Sequence, residues 1–314
     1  MTKTIALVSA QTRPLLEHRL PDWVEPRWYA SARDILELIP DAEIGWLDAW
    51  QFNIVSEALQ TGRKLKWLNT VAAGVETFPL DKIRERGLVL TNGAGINSIT
   101  IAEYVVLGML TIAKGYRAVV RAQDRGEWLH DAPGKGELHG SNALVLGAGG
   151  IGGRVARILE PFGVEVTTMR RNPSPGQLGP DDWRGRLGQF DWVVVTVAAT
   201  AETNGLVGAP EFAAMKPGAA ILNFARGFVI DTEAMLGSLR EGRLGAAFLD
   251  VTDPEPLPRD HPLWSFDNVH LSMHLSGRSQ DKILERGAER FLYNLDRYRS
   301  GDPLLHTVDP SQGY

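Results

Sequence analysis

The sequence predicts an α/β protein of two domains, each built on a parallel sheet, with a cleft between them. Three observations carry this. Short β-branched or aliphatic runs alternate with helical patterns, as parallel strands joined by crossover helices require. The runs fall into two series separated by a long helical stretch from about residue 98 to 125. The last amphipathic pattern, "SQDKILERGAERFLYNLDRY", is too short to bury a core of its own and must return to the first domain.

Taken in order, the first series is "TIALVS" (4–9), "EIGWL" (43–47), "KWLNTV" (66–71) and "LVLTN" (88–92). The apolar run at the N-terminus stops too soon for the core of a leader peptide and is expected as a buried strand. "AEYVVLGMLTIA" (102–113) is too short to cross a bilayer and belongs to a buried helix that connects the two sheets. The second series is "ALVLG" (143–147), "VEVTTM" (164–169), "WVVVTV" (192–197), "AAILNF" (219–224) and "AAFLDV" (246–251). The expected domains are therefore 1–97 with 279–314, and 98–278. Pro and Gly clusters at 172–180 and 253–262 read as loops.

Composition narrows the function. The 314 residues carry a formal charge of −5 with no basic run, so neither nucleic acid nor an anionic membrane is an expected partner. The chain has no cysteine, which excludes disulfides, thiolate metal sites and a cysteine nucleophile and fits a cytoplasmic setting. His18, His130, His139, His261, His270 and His306 show no metal-type spacing, and no metal is expected. No G-x-S-x-G elbow follows a strand, so nucleophilic hydrolysis has no support.

Chemistry begins at "ALVLGAGGIGGRVARILEPFG", a strand running through G-x-G-x-x-G into a helix. Gly147 permits the tight turn, Gly149 lets backbone approach a pyrophosphate, and Gly152 lets helix and strand pack closely. The N–H groups of Gly150, Ile151 and Gly152 at the helix start face phosphate. This marks a Rossmann-like domain, with a flavodoxin-like parallel-sheet domain before it. The next strand ends where an adenosine ribose is read. An acidic residue there would select NAD; the sequence has Arg170 and Arg171, which attract a 2′-phosphate through charge-assisted hydrogen bonds. NADP(H) is favoured over NAD(H).

Downstream, "NFARG", "LDVTDPEPLP" and "HPLWSFDNVHLSMH" follow one another in order. From the Gly74 loop to His274 the chain resembles the D-2-hydroxyacid dehydrogenases, most of all their NADPH-dependent glyoxylate and hydroxypyruvate reductases. The resemblance implies a catalytic set of Arg226, Glu255 and His274. Arg226 would hold the carboxylate and polarise the carbonyl of a small 2-oxo acid. His274 would give the proton, and Glu255 would hold the other ring nitrogen and favour the protonated ring. Reduction to the D-2-hydroxy acid is the expected reaction.

By the same resemblance Asp250 meets the nicotinamide carboxamide, and Val197, Ala198, Thr200, Phe224, Ala225, Arg226, His274, Ser276 and Gly277 lie along the cofactor. Ala73, Gly74 and Val75 would offer backbone to the substrate carboxylate, and a homodimer is implied. Trp46, Trp50, Trp128 and Trp264 are candidates for closing the substrate pocket. Two positions depart from the family pattern: Met273 stands where Pro precedes the catalytic His, and Glu76 stands where Asp is usual. The first removes a fixed φ angle, which puts the substrate in question more than the reaction. A different class is kept open by the likeness to the C-terminal-binding protein corepressors, which share the Arg, Glu, His set and sense a dinucleotide. Turnover of NADPH with a small 2-oxo acid separates the two.

Overall fold

The computed structural model describes residues 3–48, 52–278 and 280–311. The aliphatic runs of the first series form β1 (Thr4–Ser9), β3 (Ile44–Trp46), β4 (Trp67–Asn69) and β5 (Val89–Thr91), and β2 (Val24–Tyr29) joins them. All pair in parallel in the order β2-β1-β3-β4-β5. β2 was not among the expected strands, because "VEPRWY" breaks the aliphatic pattern with Pro26 and Arg27. It is an edge strand, where the missing N–H of a proline need not interrupt a ladder.

Helices α1 (Arg13–Leu16), α2 (Ala32–Leu38), α3 (Phe52–Thr61) and α4 (Leu80–Glu85) lie between these strands. α2 starts on a reciprocal cap: Ser31 Oγ accepts from Asp34 N at 3.2 Å and the Asp34 carboxylate accepts from Ser31 N at 3.0 Å. In β1, Leu7 enters one buried cluster with Ile35, Ile39 and Leu68, while Ala6 and Val8 enter another with Trp46 and Trp67. Successive side chains point to opposite faces, so a strand covered on both sides reads as an unbroken apolar run.

In the second unit α5 (Ser98–Ala113) and α6 (Tyr116–Asp124) precede β6 (Asn142–Leu146), α7 (Gly150–Leu159), β7 (Glu165–Met169) and β8 (Trp192–Val195). Then follow α8 (Ala209–Ala214), β9 (Ala220–Asn223), α9 (Thr232–Arg240), β10 (Ala246–Leu249) and β11 (Val269–Leu271). The order is β11-β10-β9-β8-β6-β7, every pairing parallel. A one-residue parallel bridge from Met169 to Leu178 extends the β7 edge. Order reverses between β6 and β8, the switch point at which open parallel sheets bind ligands.

The helical stretch expected as one connector is instead two helices bent by 75°. Gly115 ends the first of them at φ +58°, and a Cβ there would lie 2.9 Å from the backbone N of Gly134. The left-handed turn and the neighbouring strand of loop both require glycine. Among the described residues no single helix is long and apolar enough to cross a membrane; this bent pair passes that test only jointly.

The chain divides into Met1–Asn97 with Gln280–Tyr314, and Ser98–Ser279. The return segment is α10 (Ile283–Ser300), whose Ala288, Phe291 and Leu295 are fully buried. The Phe291 ring lies 5.2 Å from Trp46 and 5.1 Å from Trp67. Burying such a ring is worth about 3 kcal/mol, enough to hold the terminal helix on the first sheet.

Candidate active site

Because every strand of the second unit is parallel, the carboxyl ends of β6 to β11 share one edge. That edge collects residues from six separate stretches of sequence. At β6 the chain passes through Gly147 at φ +102°, where a Cβ would meet Thr196 O at 2.7 Å. Gly152 lies so close to Gly147 O that a Cβ would stand 2.0 Å from it. Gly149 differs: a Cβ there meets nothing within 4 Å, leaving an exposed, open approach to the start of α7. The first turn's N–H groups, Gly150 to Gly152, precede the first intrahelical bond from Gly153 N to Gly149 O. The turn fits a pyrophosphate, which needs bare backbone donors and no side chain in the way.

Gly147 N and Ala148 N both donate to Met169 O at 3.0 Å, tying this turn to the end of β7. Arg170 and Arg171 follow at once, both exposed. Arg170 N donates to Leu178 O and Leu178 N to Thr168 O, so the loop folds back beside the strand. Arg171 stands 3.6 Å from the Glu202 carboxylate, a loose and exposed pair. Beyond β8, Thr196 Oγ1 donates to Gly147 O at 2.8 Å, and Ala198 O accepts from Thr203 Oγ1 at 2.8 Å. Thr200 N donates to the same Thr203 hydroxyl at 2.9 Å. Phe224 and Ala225 bury their side chains, so they can offer a cofactor only backbone.

Asn223 shapes the next turn: its Oδ1 accepts from Ala225 N at 3.0 Å and its Nδ2 donates to Arg226 O at 2.9 Å. Arg226 is half-buried and donates from Nη1 to Ala225 O at 2.8 Å. A Cβ on Gly227 would lie 2.0 Å from the carbonyl carbon of Thr252, which is why glycine follows the arginine. The close approach brings the turn after β9 against the loop after β10 that bears Glu255. There Thr252 N donates to Glu255 Oε1 at 3.1 Å, and the other oxygen, Oε2, lies 2.8 Å from His274 Nδ1.

Asp250 is buried and organises the His274 turn. Its Oδ1 accepts from Ser272 Oγ at 2.7 Å and Ser276 N at 3.2 Å; its Oδ2 accepts a short bond from Ser276 Oγ. Its backbone O accepts from His274 N at 2.5 Å. Gly277 follows Ser276 and is half-buried. Ser272, Asn223 and Thr252 escaped the reading of the sequence; the Asn of "NFARG" was the one available signal.

Ala73, Gly74 and Val75 lie in the first unit, after β4. Of the four tryptophans, Trp46 is packed in the first unit's core and donates to Asp48, and Trp50 lies outside the described residues. Trp128 is 85 % exposed, and Trp264 donates its indole N–H to Pro258 O at 2.8 Å. Trp46 is thus a packing residue.

Residues 106–276 match the D-isomer specific 2-hydroxyacid dehydrogenase, NAD binding domain. Glyoxylate/hydroxypyruvate reductase B of Pectobacterium atrosepticum is 30 % identical over 262 residues, 80 % of this chain and 81 % of that one. A D-isomer specific 2-hydroxyacid dehydrogenase family protein of Aeromonas salmonicida has a structure similar at a TM-score of 0.85, with 30 % identity, covering 99 % of this chain and 100 % of that one. The D-isomer specific 2-hydroxyacid dehydrogenase of Xanthobacter autotrophicus Py2, in complex with NADPH and MES, aligns at a TM-score of 0.80 with 26 % identity and full coverage of both chains. The chain spans about half the length of the D-3-phosphoglycerate dehydrogenases it also matches. The chain belongs to the D-isomer specific 2-hydroxyacid dehydrogenases. It is an NAD(P)-dependent oxidoreductase of that family.

Proposed function

We propose that the protein reduces a small 2-oxo acid of the glyoxylate or hydroxypyruvate type to the D-2-hydroxy acid, with NADPH favoured over NADH. The observation that carries the reading is the 2.8 Å pair between His274 Nδ1 and Glu255 Oε2. An ionised carboxylate only accepts, so Nδ1 is the donor in this pair and Nε2 is the nitrogen left for substrate. The doubly protonated ring can then release a proton from Nε2 to the developing alkoxide. When bound, the reduced dinucleotide supplies the hydride.

Arg226 would neutralise the carboxylate and polarise the carbonyl, since a planar guanidinium can span both oxygens. Ala73, Gly74 and Val75 are kept as backbone donors to the same carboxylate. Gly147, Gly149 and the N–H groups of Gly150 to Gly152 would hold the pyrophosphate. Val197, Ala198, Thr200, Phe224, Ala225, Asp250, Ser276 and Gly277 would line the rest of the dinucleotide. Arg170, exposed at the end of β7, is the chief support for NADPH; Arg171 shares its charge with Glu202. Family membership supports a homodimer, and the absence of cysteine supports a cytoplasmic setting.

The test is oxidation of NADPH and of NADH with glyoxylate, hydroxypyruvate and a wider set of 2-oxo acids. Turnover with the two named acids, faster with NADPH and abolished in His274→Ala, is expected. Tight nucleotide binding without turnover of any acid would sink the reading and favour a sensor.

A further inference from the structure

Resting on the assignment of residues 73–75 to the substrate carboxylate, we propose that Asp48 is a positioning residue that fixes the backbone of that loop. Asp48 lies two residues beyond β3 and is 1 % exposed. A single oxygen, Oδ1, takes three hydrogen bonds: from Trp46 Nε1 at 3.1 Å, Thr70 Oγ1 at 3.3 Å and Val71 N at 2.9 Å. Thr70 Oγ1 passes the constraint on by accepting from Ala72 N at 3.2 Å. The donor behind this chain is rigid, since Trp46 is fully buried against Phe291.

The opposite side of the loop is braced independently. Gly93 N donates to Ala72 O at 2.7 Å and Asn92 Nδ2 to Ala73 O at 2.8 Å. The approach is so close that a Cβ on Gly93 would stand 1.8 Å from Val71 O. Residues 71 to 73 are therefore clamped between Asp48 and the 92–93 turn, immediately before Gly74.

Packing alone does not explain an aspartate here. Its second oxygen, Oδ2, is buried with no hydrogen-bond partner among the described residues. A buried carboxyl with an unused oxygen is costly, and an apolar side chain of similar size would avoid that cost. What the apolar residue could not do is accept from Val71 N and Thr70 together, and these bonds set the direction of the next amides. Burial pushes the Asp48 carboxyl above the ordinary carboxylate range.

The experiment compares wild type, Asp48→Ala, Asp48→Asn and Thr70→Val for KM and kcat with glyoxylate, inhibition by oxalate, and NADPH affinity. Asp48→Ala should raise KM and weaken oxalate about tenfold or more, while the Kd for NADPH stays within about twofold. Asp48→Asn keeps an acceptor and should restore most of the loss. An unchanged KM in Asp48→Ala, or an Asn variant no better than Ala, overturns the proposal. If Asp48→Ala does not fold, Thr70→Val decides: a KM raised about threefold supports the chain of bonds, and an unchanged KM overturns it. A wild-type protein that reduces no 2-oxo acid strikes at the functional reading instead. Oxalate binding, measured directly, then still decides, with equal affinity in wild type and Asp48→Ala overturning the positioning role.

Discussion

Met273 and His274 are consecutive non-glycine residues in the left-handed region, at φ +52° and +56°. Such a residue costs about 1–2 kcal/mol, and a proline, locked near φ −65°, could occupy position 273 only if the backbone there changed path. Met at position 273 is therefore compatible with this backbone path into His274, and Pro is not. Met273→Gly should relieve about 1 kcal/mol in urea unfolding, since the 63 % exposed side chain has little packing to lose. Met273→Pro should fold but lose at least about 100-fold in kcat, because His274 is displaced. A fully active Met273→Pro would show that the turn tolerates another path. At the other end of the site, Arg170→Asp should lower kcat/KM for NADPH about 100-fold and leave NADH within a few-fold, in line with the worth of a charged hydrogen bond plus added repulsion. Unchanged preference would mean that the 2′-phosphate is read elsewhere.

The turn from β6 into α7 separates two jobs done by glycines that look alike in the sequence. Gly152 has no room: a Cβ would press on Gly147 O, so Gly152→Ala should lower the Tm and loosen the turn. Gly149 has room, so Gly149→Ala should melt like wild type yet bind the dinucleotide at least about tenfold more weakly, its methyl projecting into the open approach to the N–H groups proposed to hold the pyrophosphate. Calorimetry and cofactor titration together check both. Equal melting and equal binding in the two variants would refute the division. Elements differ in the same way in how readable they are. β1 and β6, covered on two faces, announce themselves as aliphatic runs. β2 is hidden by Pro26 at its edge position, and the break between α5 and α6 is set by the loop at Gly134 pressing on Gly115.

At the scale of the whole molecule, acid sensitivity should come partly from His270 on β11. Burial, with Arg117 and Arg121 nearby, lowers its pKa from 6.5 to about 4, and its ring stacks on Phe248 at 6.3 Å. The unfolded chain takes up this proton first as pH falls. Stability is therefore full above about 6.5 and declines as pH drops toward 4. His306 is lowered for the same main reason, burial, and acts in the same direction. His270→Phe should flatten part of the fall in urea midpoint between neutral and acid pH. Parallel curves for variant and wild type would rule His270 out as a source.

The sequence by itself determined the parallel-sheet architecture, the glycine turn, the order of the Arg226, Glu255 and His274 motifs and the return of α10. These are written in local periodicity or in spacing along one stretch, where a residue's neighbours are also its neighbours in sequence. The family resemblance carried the pairing of Glu255 with a His274 ring nitrogen; only the tertiary structure decided that this nitrogen is Nδ1, that Asp250 holds the His274 turn through Ser272 and Ser276, and that Asp48 holds Val71 and Thr70. Each of these bonds joins segments 19 to 26 residues apart. Such partners meet only because parallel strands bring their carboxyl ends to one edge, and nothing in local composition records which side chain then faces which.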